Sequence, residues 1–131
     1  MDLVDLHRWQ LALTRSGESL ARRYFTPRER HTARQLATPD RTFVEILGHC
    51  FGVKESVVKA VGGLPATARL ADIQVEIPVD GHHERPWNVR LSGPLSDWAE
   101  TERLDVVGAS THLGSGMALA WAAAQDAGPR P

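Results

Sequence analysis

Residues 40–61 carry the longest run of helical apolar spacing in the chain, and the fold has to be arranged around it. Thr38-Pro39-Asp40 supplies a start signal and Gly62-Gly63-Leu64-Pro65 a stop. On a helix, Phe43, Leu47, Cys50, Phe51, Val57, Val58 and Val61 fall broadly on one side. Arg41, Glu45, Gly48, His49, Gly52, Glu55, Ser56 and Lys59 fall broadly on the other. Gly48 and Gly52 are one turn apart on that second face, although glycine within a helix costs about 1 kcal/mol relative to alanine. Their placement predicts close approach of another backbone or a ligand. Glu55 and Lys59 project from the same face. Such a pair at (i, i+4) is commonly a surface ion pair worth about 0.2–0.5 kcal/mol. Above a glycine face it is equally a place to bind a metal and a phosphate.

The rest of the chain supplies the layer against which this helix packs. Asp2-Leu3-Val4-Asp5-Leu6 alternates as a short strand, with both carboxylates placed on one face and Leu3 on the other. Helical spacing follows from His7, broken at Gly17 and resumed over 20–24. Thr26 as N-cap, Pro27 at the first helical position and Glu29 at the third predict a second helix ending near Ala37. Residues 73–78 and 87–91 read as a hairpin around an Asp80-Gly81 turn that also holds His82 and His83, the latter two read as solvent-exposed. A short helix over 95–104, a strand over 105–111, a turn over 112–116 and a last strand over 117–123 complete the order. Trp9, Trp87, Trp98 and Trp121 read as core or interface aromatics. This predicts an α+β fold, an antiparallel sheet packed against a long central helix, in one domain over 1–124 with a tail over 125–131.

Charge and cysteine usage narrow the partners. No apolar run reaches the roughly 20 residues that span a bilayer, and the acidic start lacks the basic region of a signal peptide. The single cysteine, Cys50, reads as a buried structural thiol, and the chain as cytoplasmic. Net charge is −1, yet Arg22, Arg23, Arg28, Arg30 and Arg34 cluster against one acid, Glu29. A basic patch on a near-neutral chain indicates an anionic partner or a solvated helix face. With only Tyr24 and Phe25 to stack on bases, nucleic acid is not the partner indicated.

Four stretches in order resemble the holo-acyl carrier protein synthases, the small bacterial class of 4′-phosphopantetheinyl transferases. Asp2-Leu3-Val4-Asp5-Leu6-His7-Arg8 is similar to that family's opening strand, and Phe25-Thr26-x-x-Glu29 to its F-T-x-x-E element. Phe51-Gly52-Val53-Lys54-Glu55-Ser56-x-x-Lys59 matches its signature, the most specific of the four. Ser110-Thr111-His112 resembles the terminal strand-turn-strand.

The resemblance implies transfer of the phosphopantetheine arm of coenzyme A to a serine of an acyl carrier protein, in fatty acid or polyketide synthesis. It implies Mg²⁺ dependence, release of 3′,5′-bisphosphoadenosine, and a homotrimer with coenzyme A at the subunit interfaces. By the same resemblance Asp2 and Glu55 hold the metal and, with Lys59, form the catalytic set. Lys54, Ser110 and His112 contact coenzyme A, and Gly62 and Gly63 form a loop near the nucleotide. Arg8, Arg15, Arg22, Arg23 and Arg28 suit docking of an acidic carrier protein. The chemistry fits: breaking a diphosphate develops negative charge that calls for a hard cation and a fixed positive group. The alternative is a catalytically impaired relative that serves as a carrier-protein or coenzyme A-binding module.

Overall fold

In a computed structural model, residues 2–78, 87–113 and 117–126 are described, with backbone alone at 107, 109–113, 125 and 126. The expected turns around His82 and His83 and over 114–116, and the tail from 127, lie outside the described residues.

Among the described residues five strands form one antiparallel sheet: β1 (Asp2–Asp5), β2 (Ile73–Glu76), β3 (Trp87–Leu91), β4 (Leu104–Leu113) and β5 (Met117–Asp126), in the order β1-β5-β4-β3-β2. The β2–β3 hairpin pairs Ile73 with Leu91 and Glu76 with Asn88. Helix α1 (Leu6–Tyr24) follows β1 directly and breaks its helical geometry at Gly17, whose positive φ of 59° the absence of a Cβ permits. Helix α2 (Pro27–Leu36) begins at the expected capping box, with Thr26 Oγ1 accepting from the Glu29 amide at 3.1 Å and Glu29 Oε1 from the Thr26 amide at 2.8 Å.

The central helix, α3 (Phe43–Ala60), starts later than the Thr38-Pro39-Asp40 signal predicts. Thr38 and Arg41 close a tight turn by exchanging backbone hydrogen bonds of 2.9 and 3.1 Å, and Thr42 Oγ1 caps the Glu45 amide instead. The two-sided pattern also gives way. Gly48, His49, Gly52 and Ser56, placed on the polar side, are buried, as are Ile46, Leu47, Val53 and Val57. The helix lies across β5, β4 and β1 on one side and against α1 and α2 on the other, so little of its circumference meets water. Each fully buried Ile, Leu or Val contributes about 1.5–3 kcal/mol. Trp9 stacks on Phe51 at 4.6 Å and meets Phe25 edge-on at 5.7 Å, filling the α1–α3 seam, while Trp87 is buried beneath His49.

Smaller departures follow from local chemistry. Helix α4 (Gly93–Glu102) starts two residues early on Pro94 and stops at Arg103 in the left-handed region, so Leu104 opens β4 rather than ending the helix. Strand β4 continues through His112, and β5 runs on to Asp126 because Leu104 pairs with it there. Asp5, expected beside Asp2, accepts from the His7 and Arg8 amides at 3.0 and 3.1 Å and caps α1. Residues three apart on a strand point to opposite faces, so the two carboxylates do not share one.

Candidate active site

The close approach of β1 to α3 begins at Gly52. A Cβ there would lie 2.9 Å from Val4 Cγ2 and 3.0 Å from Ala120 Cβ, so only glycine lets β1 and β5 sit this near the helix. Gly48 instead makes room for the side chains of Leu6 and Trp9, so both helix glycines serve packing within the chain. One turn beyond Gly52, α3 presents Glu55 and Lys59 to the end of β1. Asp2 is held there by register with Ala120 of β5.

Lys59 Nζ donates to Asp2 Oδ1 at 2.9 Å, with the Asp2 side chain 19% exposed and that of Lys59 55%. Burial, then the negative charge of Asp2, push the Glu55 carboxyl above its ordinary value, and Lys59 partly offsets them. The hydrogen bond to Asp2 and its charge raise the Lys59 ammonium, with a smaller contribution from Glu55 against slight desolvation. A half-buried carboxyl raised in part by a second carboxylate, which itself holds an ammonium, makes a site where added positive charge is favoured. Among the described residues no cluster of three or more His, Cys, Asp and Glu side chains forms a cage of protein ligands. The donor set suits Mg²⁺, which is typically bound by one or two carboxylates together with substrate phosphates and water.

Lys54 is not part of this site. Its side chain is wholly buried, and its three donors meet Glu29 Oε1 at 2.7 Å, the Tyr24 carbonyl at 2.9 Å and the Leu70 carbonyl at 3.1 Å. With every N–H engaged inside the core it cannot reach a coenzyme A phosphate, contrary to its expected role. Glu29 Oε2 also accepts from the Val75 amide at 2.7 Å and lies 3.6 Å from Cys50 Sγ. Burial, followed by the charge of Glu29, raises the Cys50 thiol well above its ordinary value, so it remains a protonated structural group. An all-round apolar α3 was the signal that its lysine would be buried.

Gly62 and Gly63 close α3 by a Schellman arrangement. The Gly62 amide donates to the Lys59 carbonyl at 3.2 Å and that of Gly63 to Val58 at 2.8 Å, with φ of 81° and 110°. A Cβ at either would meet nothing within 4 Å, so open space lies beyond the helix end. Across the sheet, Asp2 pairs with Ala120 and Ala120 with Ser110, which puts Asp2 and Ser110 in one row; His112 pairs with Ala118. Arg8, Arg15, Arg22 and Arg23 on α1 and Arg28 on α2 are exposed. Arg22 and Arg34 both reach Glu18, at 3.1 and 3.7 Å, and Arg23 lies over the Tyr24 ring. No helix among the described residues is long and apolar enough to cross a membrane.

A family model described as the 4′-phosphopantetheinyl transferase superfamily matches residues 1–120. A holo-[acyl-carrier-protein] synthase of Polaromonas sp. (strain JS666 / ATCC BAA-500) is 34% identical over 110 residues, covering 80% of this chain and 78% of that protein. The crystal structure of holo-[acyl-carrier-protein] synthase from Neisseria meningitidis superposes with a TM-score of 0.78 at 25% identity, over 95% of this chain and 94% of that one. The Helicobacter pylori enzyme, solved in complex with coenzyme A, shares the fold with a TM-score of 0.73 at 17% identity, over 95% and 96% of the two chains.

Proposed function

The chain belongs to the 4′-phosphopantetheinyl transferase superfamily, and from that premise we propose that it transfers the phosphopantetheine group of coenzyme A to a serine of an acyl carrier protein. The observation that carries this reading is the meeting of Asp2, Glu55 and Lys59 at the β1–α3 junction. In the reaction the serine oxygen forms a bond to the phosphorus that bears pantetheine, and the diphosphate bridge breaks. The leaving group is 3′,5′-bisphosphoadenosine.

Asp2 and Glu55 are the residues that would hold Mg²⁺. When bound, the ion offsets the charge that builds on the diphosphate. Lys59, on the last turn of α3, supplies a positive charge to the same phosphates. The serine proton passes to one of these two carboxylates, directly or through water. Gly62 and Gly63 leave room beside the helix end for the nucleotide. Ser110, in the row of Asp2, and His112 contribute to coenzyme A binding.

Exposed Arg8, Arg15, Arg22, Arg23 and Arg28 form the docking surface for an acidic carrier, setting encounter rate and partner choice. A homotrimer is part of the reading. Val4, Ala118 and Ala120 turn towards α3, so Leu3 and Trp121 lie on the opposite sheet face, where they are 60% and 41% exposed. Apolar side chains of that size on an open sheet face suit burial against a further copy. A cytoplasmic setting agrees with Cys50 as a buried free thiol.

Incubation of an apo-carrier protein with coenzyme A and Mg²⁺ is expected to add one phosphopantetheine mass to the carrier. No mass change across a panel of carriers would sink the proposal.

A further inference from the structure

The ammonium of Lys59 already sits on one of the two carboxylates that the proposed metal would need, joining positions 57 residues apart in the chain. The partners differ in freedom. Asp2 is mostly buried and anchored by the β1–β5 ladder, whereas Lys59 is over half exposed on a four-carbon stem. Between them, Lys59 is the group able to move. A divalent cation brought to Asp2 and Glu55 would meet that ammonium within a few ångströms and be repelled by it.

The geometry points to Lys59 as a placeholder cation, which neutralises Asp2 in the free protein and transfers to the diphosphate of the incoming substrate, releasing Asp2 to the metal. This inference rests on the metal-site reading above. It follows that the free protein binds divalent metal weakly, and that diphosphate and metal favour one another's binding. By linkage that coupling is the same in both directions. Lys59 then sets the order of assembly, beyond stabilising charge once the substrate is in place. The location of the pair supports the handover: Lys59 is the last residue but one of α3, beside the open space at Gly62 and Gly63, so its side chain has somewhere to swing.

Calorimetric titration with Mn²⁺, without carrier protein, tests this on the wild type, Lys59→Met, Asp2→Asn and Glu55→Gln, each with and without coenzyme A. Without coenzyme A, Lys59→Met is expected to bind Mn²⁺ more tightly than the wild type, on the order of fivefold, as suits loss of one exposed ion pair. Coenzyme A should narrow or reverse that advantage. Unchanged or weaker binding by Lys59→Met, beside weakened Asp2→Asn and Glu55→Gln, overturns the handover and leaves the metal site standing. An advantage that persists in full with coenzyme A bound also overturns it, because Lys59 would still be holding Asp2. Undiminished binding by both Asp2→Asn and Glu55→Gln removes the metal site and the handover together.

Discussion

Glu29 and Lys54 meet at 2.7 Å with neither side chain exposed to solvent. The pair joins the Phe25-Thr26-x-x-Glu29 element to the signature of the central helix, and ties α2, α3 and β2 together through the Val75 amide. It also fixes the rotation of α3. With Lys54 turned into the core, Glu55, the next residue round the helix, is turned towards β1.

Breaking this pair should therefore be severe. Lys54→Met leaves Glu29 buried without its cation and is expected to cost about 3–5 kcal/mol in urea unfolding. Adding Glu29→Gln removes the charge but keeps one acceptor oxygen, which can serve the Thr26 or the Val75 amide and not both, so the double variant should recover part of that loss. Simple addition of the two single effects would contradict a coupled pair.

This contact also marks where the sequence stopped being informative. Thr26 and Glu29 were legible because a capping box is local. The partner of Glu29 on α3 is twenty-odd residues further on, and nothing in the spacing points to it. Lys54 was given a coenzyme A contact by the resemblance alone, and its burial follows from how much of α3 is covered by its neighbours. Thr38-Pro39-Asp40 reads as the start of α3, but the 38–41 segment closes into a turn of its own and Thr42 caps the helix. The Glu55–Lys59 pair stood out from its helical spacing, but its union with Asp2 was legible only as a resemblance. What unites them in space is the glycine at 52, read from sequence as backbone or ligand approach and resolved by the packing as backbone.

At Gly52 the helix gains from alanine but the packing loses. Val4 is a stiff β-branched side chain and Ala120 Cβ is fixed to its strand, so an added methyl must push β1 and β5 away. Gly52→Ala is expected to destabilise by about 1–3 kcal/mol despite better helix propensity. It should also weaken Mn²⁺ binding as Asp2 recedes from α3. Unchanged stability and metal affinity would show that the approach of β1 is not set here.

Glu55 should trade stability against function. Its carboxyl is raised in the folded chain, so the native state holds the proton more tightly than the unfolded one. Its contribution is favourable at acid pH and is lost as pH rises from the ordinary carboxylate range through the raised value. Glu55→Gln removes that dependence, and near neutral pH should melt at or slightly above the wild type. Melting curves between roughly pH 4 and 7 check the sign. A clear loss of stability at neutral pH would mean that the ionised carboxylate is well satisfied in the fold.

Charge reversal on α1 and α2 separates docking from chemistry. Arg22→Glu with Arg28→Glu should raise the KM for the carrier protein far more than that for coenzyme A. The exposed Arg22–Glu18 pair lost in the process is worth only about 0–1 kcal/mol. Equal effects on both substrates would argue against a carrier-docking surface.

The most direct test of the Asp2–Glu55–Lys59 site is the intact mass of an apo-carrier protein after incubation with coenzyme A, with Mg²⁺ or with chelator, using the wild type, Asp2→Asn and Glu55→Gln. The wild type should add phosphopantetheine only when Mg²⁺ is present. Both variants should leave the carrier almost unmodified while remaining folded. Full modification by either variant, or by the wild type in chelator, would contradict the assignment of these carboxylates.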